Sequence, residues 1–287
     1  GRCCVCGHTS GDVVLEGTDH REQVGGWFAV VECDGCGLAR TEPVPVDPGA
    51  WYPTGYQQHD APDTATTKVV RRAVTTAGRS HRRAGQVALA TLVPDAAYLG
   101  DLPPGTRVLD VGAGNGNVVA GLRDAGVDAW GIEPSGAGAE IARSRGLATV
   151  MEGTLEDALA TGVIAGSGWD IVRMYQVLEH VPNPVQTLEE IRGILADRGR
   201  LIIGVPNLNS LARRAVGASW DGLELPRHLT HFTPRTLRMV LDRAGFHVWR
   251  LRTVALFGIL PGSIDARTAG GQRQRGWGEA LSVRALA

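Results

Sequence analysis

The chain has almost no net charge. Its 29 Lys and Arg face 30 Asp and Glu, leaving −1 at neutral pH. That balance gives no global attraction for nucleic acid or for an anionic membrane surface. No apolar run reaches the ~18 residues that a membrane-spanning helix requires. No signal-peptide pattern opens the sequence. Internal repeats are absent. Cysteine is missing from most of the chain: all five cysteines fall within the first 36 of 287 residues. This excludes a disulfide-stapled body, and the thiol usage points to a cytoplasmic setting. Hydrophobic residues make up 43%, enough for a sizeable core in one or two domains.

The cysteines that are present are ordered. Cys3, Cys4 and Cys6 precede Gly7, and Cys33 and Cys36 precede Gly37, giving two C-x-x-C-G knuckles. The following glycine leaves room for backbone N–H groups to face sulfur. Cys3, Cys6, Cys33 and Cys36 supply four thiolates for a tetrahedral zinc ion, and Cys4 is left over. Val13-Val14-Leu15 and Trp27 to Val31 are expected as short ribbon strands. A zinc ribbon over 1–42 is the favoured reading, with a disulfide pair or a rubredoxin-like iron as alternatives. A saturated four-cysteine site has no open position, so the zinc is expected to be structural.

Also missing is a glycine at position 117. Val108-Leu109-Asp110-Val111-Gly112-Ala113-Gly114-Asn115-Gly116-Asn117 reads as strand, tight turn and helix start, with Glu133 ending the next apolar run. This layout builds a nucleoside crevice at the carboxyl edge of a parallel sheet. A dinucleotide fingerprint needs glycine where Asn117 stands. Asp110 precedes the first glycine, and a carboxylate there disfavours a pyrophosphate at the helix N-terminus. The turn suits a cationic ligand without phosphate.

These residues resemble class I S-adenosylmethionine-dependent methyltransferases. The match continues through Trp169–Met174, Tyr175-Gln176-Val177-Leu178-Glu179-His180-Val181-Pro182, Gly199–Asn207 and Thr233–Phe246. The Leu-Glu-His-Val-Pro stretch is similar to the branch holding ubiquinone O-methyltransferases and many sugar and natural-product methyltransferases. The resemblance implies a Rossmann-like doubly wound α/β sheet with a closing antiparallel strand, over 101–287. It also implies S-adenosylmethionine as cofactor. Gly112, Gly114, Gly116 and Asn117 are expected to approach the methionine and ribose, and Asp110 to help hold the amino end. Glu133 is expected to take both ribose hydroxyls, with Pro134 beside it. Thr154 and Leu155 are expected along the adenine, and Tyr175 and Gln176 near the cofactor. Residues 43–100 are expected as a linker and a helical lid. Within them Tyr56 is either a cofactor contact or linker packing. The arginines at 71, 72, 79, 82 and 83 are either a solvated face or a site for an anionic group.

Strands are expected near 106–111, 128–133, 148–151, 169–174, 199–205 and 247–256, with a closing strand in 276–285. Helices are expected near 116–126, 136–146, 184–196 and 233–244. An alcohol nucleophile must lose a proton, and histidine suits that near neutral pH. His228, His180 and His231 are the candidate bases, with His228 foremost. In sugar methyltransferases with a zinc ribbon the corresponding segment reads Glu-His. Here Arg227 precedes His228, and Glu224 is the nearest acid. The expected acceptor is a hydroxyl, or a carbon, of a sugar or secondary metabolite, with no membrane partner. Ribosomal RNA is a second acceptor reading. The acids Asp12, Glu16, Asp19, Glu22, Glu32 and Asp34 in the ribbon stretch count against it. A non-catalytic cofactor-binding scaffold is a third reading.

Overall fold

The structure is a computed structural model. It describes residues 1–19, 25–45, 51, 102–164, 166, 168–254 and 280–286. Tyr56, the expected 64–93 helices, the arginines at 71–83 and residues 258–276 lie outside these. The chain forms two compact units. One draws on 1–54, 176–192 and 203–285, the other on 55–175, 193–202 and 286–287.

The second unit is built on strands β4 (Arg107–Val111), β5 (Asp128–Glu133), β6 (Val150–Glu152) and β7 (Trp169–Tyr175). β8 (Leu195–Pro206) gives its first part, 195–202, to the same unit. Their order is β8-β7-β4-β5-β6. β4 is parallel to both β5 and β7, and β5 is parallel to β6. Successive strands therefore leave β4 on opposite sides, which opens a crevice at the carboxyl end of β4. Helices α1 (Asn117–Asp124), α2 (Gly136–Ser144) and α3 (Leu155–Ala160) connect the strands. The parallel strands carry apolar runs because they are buried on both faces. Val108, Val119, Leu122, Ala129, Val150 and Ile171 belong to one buried cluster. Val119 and Leu122, three apart, form the inner stripe of α1.

The first unit carries β1 (Gly11–Gly17), β2 (Phe28–Cys33) and β3 (Ala39–Glu42) in an antiparallel ribbon. It also holds α4 (Pro184–Ile194) up to residue 192, and the end of β8 from 203. Beyond these come α5 (Leu211–Val216), β9 (Thr230–His231), α6 (Pro234–Arg243), β10 (His247–Val254) and β11 (Ala280–Leu286). β9 adds to β3, with Ala39 opposite His231 and Arg40 opposite Thr230. The ribbon is thus continued by a strand from far along the chain. Phe28, Val30, Ala39, Leu208, Trp220 and Leu223 share one core. Thr233 caps α6 reciprocally with Thr236, Pro234 opens it, and Gly245 follows its end at φ +82°.

The expected elements in the described residues are present, with ends that shift by a few residues. The helix expected to 196 stops at Ile194 and β8 starts at Leu195. A turn follows there, with Arg198 at φ +65°. Gly199 packs so closely that an added Cβ would lie 2.9 Å from the Trp169 carbonyl oxygen. Helix α3 was not among the expected helices. It is set by a capping box, in which the Thr154 hydroxyl accepts from the Asp157 amide while the Thr154 amide donates to Asp157.

Candidate active site

The glycine turn follows from backbone demands. Gly112, Gly114 and Gly116 take φ of +77°, +55° and +75°, a region that side chains with a Cβ rarely adopt. The Gly112 and Ala113 amides both donate to the Ile132 carbonyl, at 2.8 and 2.9 Å. At Gly116 an added Cβ would sit 2.5 Å from Leu147 Cδ1. Glu133 ends β5 and is 3% exposed. Its Oε2 accepts the Gly114 amide at 2.7 Å, and its Oε1 accepts the Ser135 amide at 2.8 Å. A carboxylate has two acceptor oxygens, and both of these are oriented by backbone amides.

Asp110 is 1% exposed, and its Oδ1 accepts from Arg173 Nη1 at 2.6 Å. The Arg173 guanidinium also lies 5.0 Å from the Tyr175 ring. Asn117 opens α1 and accepts from Arg145 Nη1 at 2.8 Å. Pro134 is exposed, between Glu133 and the α2 cap Ser135. The Thr154 side chain is spent on its capping box, and Leu155 is buried. Gln176 takes φ +57° although it carries a side chain, and its amide donates to the Gly204 carbonyl at 2.7 Å. Such a residue at a strand's carboxyl end is a recurrent mark of a functional position.

Within the first unit the three candidate histidines meet. The His180 and His228 rings pack edge to face at 4.6 Å, and His231 lies 6.4 Å from His228. His228 is buried. Its Nδ1 bonds the Gly222 carbonyl at 3.0 Å, so it carries the proton, because a carbonyl only accepts. Its Nε2 faces Glu179 Oε1 at 3.9 Å and Glu224 Oε2 at 3.7 Å. Burial first, then the neighbouring His180, holds its pKa well below the usual histidine range. Burial, reinforced by the charge of Glu224, pushes Glu179 well above the usual carboxylate range. Burial lowers His231 to about 4. The Thr41 hydroxyl donates to the His228 carbonyl at 2.6 Å and bonds His231 Nε2 at 2.9 Å. Its one proton being used, His231 Nε2–H must be the donor, which ties β9 to β3. His180 is half-buried, with Nδ1 on the Arg227 carbonyl at 3.1 Å.

Arg227 is buried and holds Glu224 at 3.1 Å and both oxygens of Asp19 at 2.9 and 2.6 Å. Glu224, four residues before His228, and Glu179, next to His180, are the carboxylates beside the imidazole. Sequence reasoning did not assign a role to Glu179 or Asp19. Only the adjacency of Glu179 to His180 offered a signal for the first, and nothing local marks the second.

The four cysteines of the knuckles also converge. Cys3 and Cys36 sulfurs are 3.5 Å apart, as are those of Cys6 and Cys33, and all four lie within 4.8 Å of one another. Bonds of about 2.3 Å to one tetrahedral zinc separate sulfurs by about 3.8 Å, so the set fits such an ion. Gly7 and Gly37, both at φ +76°, donate their amides to the Cys3 and Cys33 carbonyls. Cys4 is outside the set, and burial raises its thiol to about 11.

A family described as a methyltransferase domain matches residues 80–251, more than half of the chain. The chain belongs to this methyltransferase family. A ubiquinone biosynthesis O-methyltransferase of Cereibacter sphaeroides is 32% identical over 152 residues, covering 49% of this chain and 60% of that protein. One of the same description from Xanthomonas axonopodis is 29% identical over 157 residues, covering 51% and 64%. The chain thus spans less than two thirds of the length of these curated relatives. Among solved structures, a chain in the complex of the Haloferax volcanii Trm112 methyltransferase activator with its methyltransferase aligns with TM-score 0.50 at 17% identity. The alignment covers 75% of this chain and 97% of that one, and the likeness is one of fold. Among the described residues, no helix is long and apolar enough to cross a membrane.

Proposed function

We propose that the chain binds S-adenosylmethionine and transfers its methyl group to a small-molecule acceptor. The favoured acceptor is a hydroxyl, or a carbon, of a sugar or secondary metabolite. The observation that carries the reading is Glu133. A buried carboxylate whose two oxygens are aimed by the Gly114 and Ser135 amides, beside three left-handed glycines, suits a ribose diol. The turn also disfavours phosphate, because the Glu133 carboxylate stands beside it. The relatives named as ubiquinone O-methyltransferases support transfer to oxygen. When bound, the cofactor supplies an electrophilic methyl on a sulfonium. The chain's own work is to hold the ribose, orient the acceptor and accept its proton.

Acceptor activation is assigned to the histidine group. His228 and His180, each with Nδ1 on a backbone carbonyl, present Nε2 as the basic atom. His231 has its Nε2–H on Thr41 and serves as an anchor. Gly112, Gly116, Asn117, Pro134, Thr154, Leu155, Tyr175 and Gln176 line the cofactor in this reading, the adenine being met through the Thr154–Leu155 backbone. Cys3, Cys6, Cys33 and Cys36 hold a structural zinc. The test is turnover: purified chain, S-adenosylmethionine and a panel of sugars and phenolic metabolites, with products read as a gain of one methyl by mass. A methylated product from any of them supports the reading. Tight cofactor binding with no turnover across the panel favours a scaffold.

A further inference from the structure

Glu179 is 1% exposed, and among the described residues no side chain hydrogen-bonds either of its carboxylate oxygens, the backbone amides of Val177 and Glu179 lying near without well-formed bonds. The space beside it, about 170 Å³ and lined by Leu208, Trp220, His228, Thr230 and His231, has no room for a water-sized sphere. A buried water therefore does not stand in for the missing partner. Leaving an ionised carboxylate uncompensated in such a place is strongly unfavourable. The neighbouring imidazole adds to the problem. With its proton on Nδ1, His228 turns the Nε2 lone pair toward Glu179 Oε1 and Glu224 Oε2, at 3.9 and 3.7 Å.

The geometry points to a second metal site, in which Glu179, His180 and His228 hold one first-row divalent cation of the zinc or iron type. The three ligand atoms lie within 4.8 Å of one another. Bonds of about 2.1 Å to a common ion place ligand pairs about 3 to 4 Å apart, so closure needs shifts of an ångström or less. Both imidazoles are held as metal ligands are, with Nδ1–H donated to the Gly222 and Arg227 carbonyls, which fixes the tautomers, and His228 Nε2 faces Glu179. Two imidazoles and one carboxylate select zinc or iron over magnesium or calcium, and they leave coordination positions open. The cysteine set shares no ligand with this site.

This inference goes beyond the proposed chemistry, since Nε2 of His228 and of His180 is a ligand here and accepts no proton while an ion is bound. Its test needs no acceptor and no cofactor. Full-length protein loaded with one zinc per chain is titrated with Co²⁺ and followed by visible absorption. The expected result is a further equivalent of cobalt with nitrogen–oxygen d–d bands and no thiolate-to-cobalt charge transfer. Glu179→Gln keeps the shape of the side chain. It is expected to weaken this binding by about tenfold or more, while the metal-free variant unfolds at or above the wild-type temperature. Cobalt uptake that shows only thiolate bands, or uptake unchanged in Glu179→Gln, overturns the proposal. So does a metal-free Glu179→Gln protein of lower stability, which would make Glu179 a structural carboxylate. Failure here leaves the histidine-base chemistry standing.

Discussion

Glu133 and Gly114 are joined by a 2.7 Å hydrogen bond, carboxylate accepting from backbone amide, across the turn that separates β4 from α1. The same side chain therefore shapes the glycine turn and the start of α2, through the Gly114 and Ser135 amides. Replacing Glu133 with Gln keeps one acceptor and removes the charge. Hydrogen bonds to charged groups contribute about 1.5–3 kcal/mol, so S-adenosylmethionine affinity is expected to fall about 10- to 100-fold, as read by calorimetry. Unchanged affinity would remove Glu133 from the ribose.

Gly116→Ala tests the turn independently. The new methyl meets Leu147 and must adopt φ near +75°. Overpacking of this kind costs about 1–3 kcal/mol. A lower unfolding temperature with weakened cofactor binding is expected. A variant indistinguishable from wild type in both would mean that the turn relaxes freely.

The cysteine set makes a sharp stoichiometric prediction. Elemental analysis should find zinc bound through Cys3, Cys6, Cys33 and Cys36, with Cys36→Ser losing it and becoming less stable, because structural zinc contributes folding free energy directly. Cys4→Ser should retain the metal, since Cys4 lies outside the cluster. Loss of zinc in Cys4→Ser would reassign the ligands.

Arg173 and Asp110 form an ion pair, 4% and 1% exposed at their side chains. Removing one partner of a buried pair costs about 3–5 kcal/mol. Arg173→Leu should therefore be severely destabilised in denaturant unfolding, and Arg173→Leu with Asp110→Asn should recover part of the loss. No recovery in the double variant would mean that the two residues act separately.

His231 links stability to pH. Its folded pKa, about 4, lies below the unfolded value near 6.5. Between these values the unfolded chain binds more protons, so the stabilisation is present above about pH 6.5 and is lost as pH falls toward 4. Over that window the loss is about 3 kcal/mol from this one group. His231→Gln should flatten the acid limb of a stability–pH curve. An acid limb of the same slope in the variant would assign the dependence elsewhere.

The parallel sheet was legible because its strands are buried on both faces and read as apolar runs, and because only glycine satisfies the turn after β4. The cysteine knuckles were legible from spacing alone. The β3–β9 pairing was not: Ala39 and His231 are 192 positions apart, and a two-residue strand has no periodicity. Helix α5 and the 3-10 turns near Trp220 carry too few residues for a helical stripe. The histidines were found by residue type. The carboxylates that face them arrive through tertiary packing, with Arg227 drawing Glu224 and Asp19 together.

The most direct test of the account is calorimetric titration of the zinc-loaded chain with S-adenosylmethionine and S-adenosylhomocysteine. Micromolar binding of both, weakened in Glu133→Gln, is the expected result. No heat from either ligand with the cysteine site filled would contradict the cofactor assignment and the methyl-transfer chemistry built on it.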